Sequence, residues 1–481
     1  MNTRLIKNTL GRILLVEGGL LILPLLVSIY FREDLKIGLS FLAAIAISLV
    51  FYFGLNFKKA KDKSLYSKEG YVIVALSWLL ISLIGSLPFV FSGSIPSLVN
   101  AFFEISSGFT TTGASILTDV EALPKSMLWW RSFTHLIGGM GVLVLVLALL
   151  PNIGSDSVHV MKAEVPGPSF GKLRSRVSHS ARTLYIIYLV MTAFVIGFLY
   201  LGGIGLFDST LLAFGAAGTG GFALLNGSIA PYNNLYVEIV LTVAMLVFGV
   251  NFNLYYFFLQ KDFKAFFKSE ELKLYLFIVF MSIGLISLNL VTKGMALSQA
   301  LRGSSFSVAS IISTTGYSTQ DFGTWPLFSQ SIILFLMFTG AMAGSTAGGL
   351  KMARIGVLIR AAKAQFKKVF SPNSYVSVNY EGKPIERSYL LSVLGYLLIY
   401  ILIFAFDVFV VSLEAEDFTT TFSTIAATFN NIGPGLGAVG PSASYASYSQ
   451  PMKLFLSIIM ITGRLEIYPM LMLLNPRTYR N

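Results

Sequence analysis

The 481-residue chain is 55% hydrophobic and only 12% charged, about half the charged fraction of a soluble domain. Its mean hydropathy of +0.74 and its many apolar runs of near-spanning length define a polytopic membrane protein, with little chain left for a separate soluble domain. The absence of cysteine excludes disulfides, thiol nucleophiles and thiolate metal sites, and the three histidines (His135, His159, His179) are too few and too dispersed for a metal centre.

The net charge of +12 is a topology signal rather than a nucleic-acid one. Lys58, Lys59, Lys61, Lys63 and Lys68, then Lys162, Lys172, Arg174, Arg176 and Arg182, then Lys261, Lys264 and Lys268 fall in loops on one side. Residues 202–237 and 413–449, on the other side, contain no Lys or Arg. This positive-inside bias predicts a cytoplasmic N-terminus.

Residues 1–12 carry Arg4, Lys7 and Arg12 ahead of an apolar helix expected over 13–31. That stretch is too long for a signal peptide, contains Glu17 and lacks a small-x-small cleavage site, so it reads as a retained helix. A second helix over 37–57 completes a hairpin. The first repeat follows: an outer helix over 71–91, a Ser-Gly-Ser-Ile-Pro break at 92–96, a short helix over 98–109 and a closing helix over 127–150. The short helix is about 18 Å long, against roughly 30 Å of hydrocarbon. It must therefore be re-entrant, and such backbone is tolerated only where it faces protein or water.

The second repeat pairs helices over 184–206 and 235–259, and the third over 272–291 and 327–343. The stretch 340–349 is rich in Gly, Ser and Thr, so the helix should unwind there and resume at about Lys351. The fourth repeat pairs 389–413 with 452–474. The expected architecture is all-α: an N-terminal hairpin (1–66) and four helix–pore loop–helix repeats (67–152, 180–260, 270–370, 386–476) in pseudo-fourfold arrangement around one pore, with about ten transmembrane helices.

Within each repeat lies one Gly-terminated polar turn: Thr110-Thr111-Thr112-Gly113, Gly218-Thr219-Gly220-Gly221, Ser313-Thr314-Thr315-Gly316 and the degenerate Asn430-Asn431-Ile432-Gly433. The last glycines are separated by 108, 95 and 117 residues, which suits a helix–loop–helix unit and exceeds a solenoid repeat. A single such turn is more often just a turn, but equal context in all four places points to shared chemistry. Backbone carbonyls and hydroxyls without a bulky side chain suit a dehydrated cation, as in potassium-channel filters. No carboxylate ring accompanies them, which favours a monovalent ion.

Two readings fit Arg464, within the last expected helix: an electrostatic barrier in the pore, or a structural ion pair with Glu466 or Asp407. The glycine-rich loop Gly344-Ser345-Thr346-Ala347-Gly348-Gly349 is either a movable constriction or a packing kink. Lys351 either adds positive charge there or snorkels. Glu104 either lowers cation energy near the first turn or buttresses it, and His135 reads as packing. Asn226-Gly227-Ser228 is a frequent glycosylation-type triplet, and Gly203-Ile204-Gly205 lacks the strand of a dinucleotide fingerprint.

Together, Thr-Thr-Thr-Gly-Ala at 110–114, Thr-Gly-Gly-Phe at 219–222, Ser-Thr-Thr-Gly-Tyr at 313–317, Asn-Asn-Ile-Gly-Pro-Gly at 430–435, the 343–351 stretch and Gly-Arg-Leu-Glu at 463–466 resemble the Trk/Ktr/HKT superfamily of potassium transporters over nearly the whole chain. The N-terminal hairpin favours its TrkH branch over KtrB.

The resemblance implies a homodimeric K⁺ uptake protein of the bacterial inner membrane, one pore per protomer, with K⁺ as bound and transported ion and no organic cofactor in this chain. It also implies that 344–349 gates below the filter, that Arg464 projects into the pore, and that a cytosolic TrkA-like ring binding NAD or ATP docks on the cytoplasmic face. The paired glycines of the second turn and the asparagines of the fourth depart from the pattern and bear on K⁺ over Na⁺ selectivity. A Na⁺-permeable or Na⁺-coupled relative and a transporter of organic solutes are the alternatives. A membrane-embedded enzyme would need a cluster of His, Asp or Ser at membrane depth, and the sequence has none.

Overall fold

The computed structural model describes residues 1–58, 60, 66–141, 177–372 and 377–479. Among these, six helices are long and apolar enough to span a membrane, or seven if one bent pair counts as a span.

The N-terminal hairpin is built from α1 (Thr3–Leu20), α2 (Ile22–Tyr30) and α3 (Leu35–Asn56). Helix α1 starts ten residues before the expected 13, because Asn2 caps it (Leu5 N to Asn2 Oδ1, 3.0 Å) and its polar first turns are used. Asn8 donates to the carbonyls of Leu55 and Lys58, both at 3.0 Å, and accepts from Ala60 N at 2.8 Å, tying the two ends of the hairpin together. Helix α3 is capped by Asp34.

Each of the four repeats then runs long helix, short helix, turn, closing helix. The long helices are α4 (Ser67–Ser92), α7 (Val177–Leu201), α12 (Glu270–Thr292) and α16 (Arg387–Val411). The short ones are α5 (Leu98–Phe109), α8 (Leu206–Gly218), α13 (Leu297–Ile312) and α17 (Phe418–Phe429). They span 12, 13, 16 and 12 residues, or about 18–24 Å at 1.5 Å per residue, too short to cross. Helix α5 matches its expected ends. Burial distinguishes the two sets. Ala101–Phe109 of α5 and Ser423–Phe429 of α17 are buried throughout, whereas α16 exposes Leu398, Phe406 and Phe409. An apolar outer surface around an apolar interior is what a bilayer requires.

The closing helices depart most from expectation. Helix α6 (Lys125–Gly139) ends short of the expected 150, and residues 142–150 lie outside the described set. The helix expected over 235–259 is two: α9 (Leu235–Phe248) and α10 (Phe252–Leu259), bent by 92°. The chain of repeat three inserts at that bend, where Met342 N donates to Gly249 O (3.1 Å) and Phe252 N to Gly344 O (3.0 Å). Helix α14 (Leu327–Thr339) stops at Gly340 and α15 (Met352–Phe370) resumes after Lys351, as the composition predicted. The last closing helix also breaks. Helix α18 (Gln450–Arg464) ends at Arg464, Glu466 and Ile467 take left-handed φ values of 53° and 71°, and α19 (Tyr468–Leu474) follows. Arg464 is thus the end of a helix, not its interior. A short helix α11 (Phe263–Lys268) precedes α12, and a hairpin of β1 (Asn379–Tyr380) and β2 (Lys383–Pro384) precedes α16.

Candidate ion-binding site

All four short helices end in the same turn. Thr111, Thr219, Thr314 and Asn431 are left-handed, with φ of 54°, 55°, 58° and 57°. The amide of each bonds the carbonyl three residues back (Gly108, Ala216, Ile311, Thr428; 3.0–3.3 Å). The next amide (Thr112, Gly220, Thr315, Ile432) bonds the carbonyl five back (Ser107, Gly215, Ser310, Ala427) at 2.8–2.9 Å. This is the Schellman ending of a helix, which normally places glycine at the left-handed position. Three β-branched threonines there cost roughly 1–2 kcal/mol each. Strain held in common at equivalent positions points to a use for the side chain or the carbonyl.

The glycine two residues on is also left-handed in every copy: Gly113 (78°), Gly221 (70°), Gly316 (85°) and Gly433 (96°). A Cβ on Gly113 would stand 2.0 Å from the carbonyl oxygen of Gly220. On Gly221 it would stand 1.9 Å from that of Thr315, on Gly316 2.2 Å from that of Ile432, and on Gly433 2.7 Å from that of Thr112. The contacts run from turn one to two, two to three, three to four and four back to one. The four turns therefore close on themselves in chain order, each presenting the carbonyl before its glycine to the preceding turn. A cavity of ≈ 100 Å³ is lined by all four glycines together. Thr111 Oγ1 and Asn431 Oδ1 are buried oxygens without a hydrogen-bond partner among the described residues.

The two departures from a plain Thr-x-Gly have local causes. Next to Gly221, a Cβ on Gly220 would meet His135 Nδ1 at 2.1 Å. The imidazole fills that space. Its Nδ1 lies 2.9 Å from Gly108 O, which can only accept, and its Nε2 accepts from Phe222 N at 3.3 Å. His135 thus braces turns one and two as a neutral tautomer. Asn431 donates to Thr112 Oγ1 (2.9 Å) and to Met460 O (2.8 Å), tying turn four to turn one and to α18. Asn430 Oδ1 accepts from Tyr400 Oη at 2.8 Å.

Glu104 is a buttress. Fully buried, it receives Arg131 Nε at 2.6 Å, Ser115 Oγ at 3.0 Å and Ile116 N at 3.0 Å, so it holds the segment leaving turn one. Arg131 also donates to Ala223 O (2.9 Å) and lies 3.5 Å above the Phe222 ring, joining repeats one and two. No motif marks Arg131 in the sequence; its one signal there is a charge within an apolar run.

The loop 344–349 lies against turns three and four. Gly348 N donates to Thr314 Oγ1 at 2.8 Å, and a Cβ on Gly348 would be 2.4 Å from Asn430 O. Arg464 reaches across it, with Nη1 to Thr346 O (2.7 Å) and Nη2 to Gly138 O (2.6 Å) and Gly139 O (2.7 Å). Three chain elements therefore meet at one guanidinium: the loop, the end of α6 and the end of α18. Glu466 is bonded to Arg354, which stacks on Tyr396 at 4.0 Å, and Asp407 is buried in α16. Lys351 turns back to donate to Ala347 O instead of snorkelling.

A helical membrane protein whose four helix-terminal carbonyl turns converge on one small cavity belongs to the class of cation-conducting proteins. The comparisons agree. The family model described as a cation transport protein, TrkH, matches residues 37–477, and the chain belongs to that family. It is 31% identical to the Trk system potassium uptake protein TrkH of Escherichia coli K12, over all of both chains. It is 30% identical to TrkI of Halomonas elongata, over 99% of this chain and 96% of the relative. The crystal structure of the potassium transporter TrkH from Vibrio parahaemolyticus superposes with a TM-score of 0.89 at 29% identity, covering 100% of both chains. A family of cation transport proteins is not one of enzymes, in line with the sequence reading.

Proposed function

We propose that this chain is the K⁺ translocation subunit of a Trk-type uptake system. The observation that carries the reading is the cyclic closure of the four turns, glycine to carbonyl, around one cavity. The ligands are the backbone oxygens of residues 110–113, 218–221, 313–316 and 430–433, in a pseudo-fourfold pore. The loop 344–349 and Arg464 form the constriction. Glycine-framed carbonyls without carboxylates suit a monovalent ion. The relatives named for potassium uptake support K⁺ over Na⁺. Entry down the electrical gradient is favoured by about 2.3 kcal/mol per charge for each 100 mV.

The charge bias of the sequence supports an N-terminus on the cytoplasmic side of the inner membrane. A homodimer, each protomer with its own pore, and a TrkA-like nucleotide-binding ring on the basic face complete the proposal; co-purification of the ring and cross-linking of two copies test them.

The deciding experiment is ⁸⁶Rb⁺ uptake into K⁺-loaded proteoliposomes of the purified chain, with K⁺, Na⁺ or choline outside. Block by K⁺ and not by Na⁺ is expected. Block by both would favour a Na⁺-permeable member, and no uptake by the parent or by an Arg464→Ala variant would overturn the reading.

A further inference from the structure

The loop 344–349 is held from a direction that the pore itself does not explain. Glu271, in the first turn of α12, is buried, and its Oε1 accepts from Ala343 N at 2.7 Å and from Ala353 N at 3.0 Å. Those amides stand on either side of the loop, ten residues apart, and one carboxylate oxygen pins both ends. Backbone pairs close the same stem, Met352 N to Ala341 O at 3.0 Å and Leu350 N to Phe338 O at 3.3 Å. One carboxylate oxygen thus serves amides on both sides of the loop, so Glu271 is the fastening that joins the two ends of its base.

Glu271 is in turn fastened from outside the helix. The hairpin β1–β2 pairs Tyr380 with Lys383, leaving the two-residue turn Glu381-Gly382. Both turn residues are left-handed, φ 51° and 70°. That geometry normally selects Asn, Asp or Gly at the first position, and glutamate is a costly choice there. Its carboxylate accounts for the choice: Glu381 Oε1 accepts from Ser269 Oγ, Glu270 N and Glu271 N, each at 3.0 Å. The link is reciprocal, since Glu381 N donates to Glu270 Oε2 at 2.8 Å and Arg360 bonds both Glu270 and the carbonyl of Asn379. Tyr380 packs so closely on α15 that a Cβ at Gly356 would lie 2.7 Å from its ring.

We infer that Glu271 is the positioning residue of the pore loop and that the Glu381 hairpin is a latch which, through the start of α12, holds that loop in its constricting place. The inference rests on the pore reading above. The links run from Glu381 to the Glu271 amide, from the Glu271 carboxylate to both stems of the loop, along the loop backbone, and from Gly348 N to Thr314 of the third turn. Any ligand or partner that pulls the hairpin off α12 would loosen the loop without touching the pore.

The test is ⁸⁶Rb⁺ uptake by the full chain in proteoliposomes, comparing the parent with Glu381→Ala, Glu381→Gln, Glu271→Ala, the double alanine variant and a deletion of residues 344–349. Loss of a charge-assisted bond that favours one of two states shifts the balance roughly tenfold. Glu381→Ala should therefore raise uptake about tenfold above the parent. Glu381→Gln keeps an acceptor oxygen without the charge and should fall between the parent and Glu381→Ala. The double variant should not exceed Glu271→Ala, and Na⁺ competition should be unchanged throughout.

If Glu271→Ala fails to fold, the alanine and glutamine variants at surface position 381 decide alone. Uptake by Glu381→Ala equal to or below the parent, while the deletion conducts, would overturn the latch and leave the pore reading intact. So would effects that multiply as independent ones, or a rise accompanied by lost K⁺ over Na⁺ discrimination. A parent that already conducts as fast as the deletion would remove the gate, and the latch with it. A deletion that does not conduct would overturn the pore reading itself.

Discussion

The four glycine-ended turns and the four closing helices that follow them make an instructive pair. The turns are nearly interchangeable: the same left-handed residue, the same two amide bonds, the same glycine against the next carbonyl. The closing helices share almost nothing. One ends at Gly139, one bends by 92° around Gly249, one unwinds from Gly340 to Lys351, and one stops at Arg464. An ion surrounded by ligands demands equivalence, because every backbone oxygen in the ring must reach the same point. A gate demands the opposite, because a loop can swing into the path only from one side. On the function proposed above, the symmetric layer is the seat of selection and the asymmetric layer of control, and substitutions should sort accordingly.

The largest effect expected comes from the one ion pair that makes turn one unlike the others. Glu104→Ala leaves Arg131 buried without its carboxylate and takes the acceptor from Ser115 and Ile116. Breaking a buried pair from one side costs about 3–5 kcal/mol. A fall of many degrees in the melting temperature of the detergent-solubilised protein is expected. A melting temperature within two or three degrees of the parent would show that the turns do not depend on that brace.

Next comes the shared layer itself. Gly113→Ser places a side chain at φ 78° and 2.0 Å from Gly220 O, and overpacking plus left-handed strain cost about 3 kcal/mol together. The carbonyls must spread, so Na⁺ should begin to compete with ⁸⁶Rb⁺ uptake at least tenfold better, roughly half of that energy expressed as selectivity. An unchanged competition curve would remove Gly113 from the ion path. In the asymmetric layer, Arg464→Ala deletes three bonds to carbonyls of the loop and of α6. Each bond to a charged donor is worth about 1.5–3 kcal/mol. Uptake should rise about tenfold, with competition unaltered. Reduced uptake together with a low melting temperature would make Arg464 a structural tie alone.

This division also explains what could be read ahead of the structure. Helix α5 was legible to the residue, because Ser97, the apolar run and the following threonines are all local. The unwinding after Thr339 was legible because six helix-unfavourable residues are packed together in the chain. The bend at Gly249 was not. A glycine inside an apolar run is ordinary, and this one bends because Met342 and Gly344, more than ninety residues on, take the backbone bonds at the break. For the same reason His135 read as packing: only the positions of Gly108, Gly220 and Phe222 reveal it as a brace. The repeated chemistry is written locally four times, whereas the asymmetric chemistry is written once, across repeats.

Asn431 tests the comparison at its narrowest point, since it is the one residue at the left-handed position that is not threonine. In Asn431→Thr the backbone has a conformation that Thr111, Thr219 and Thr314 already accept. The donors to Thr112 Oγ1 and Met460 O disappear, each worth about 1 kcal/mol, and β-branching adds a little strain. The protein should fold with a slightly lower melting temperature. If selection belongs to the common backbone, Na⁺ competition with ⁸⁶Rb⁺ should move by less than about threefold, below 1 kcal/mol. A larger shift would mean that the fourth turn's side-chain oxygen is itself a selective ligand. The equivalence of the turns would then be one of backbone shape and not of ion chemistry, and selection would have an asymmetric component of its own.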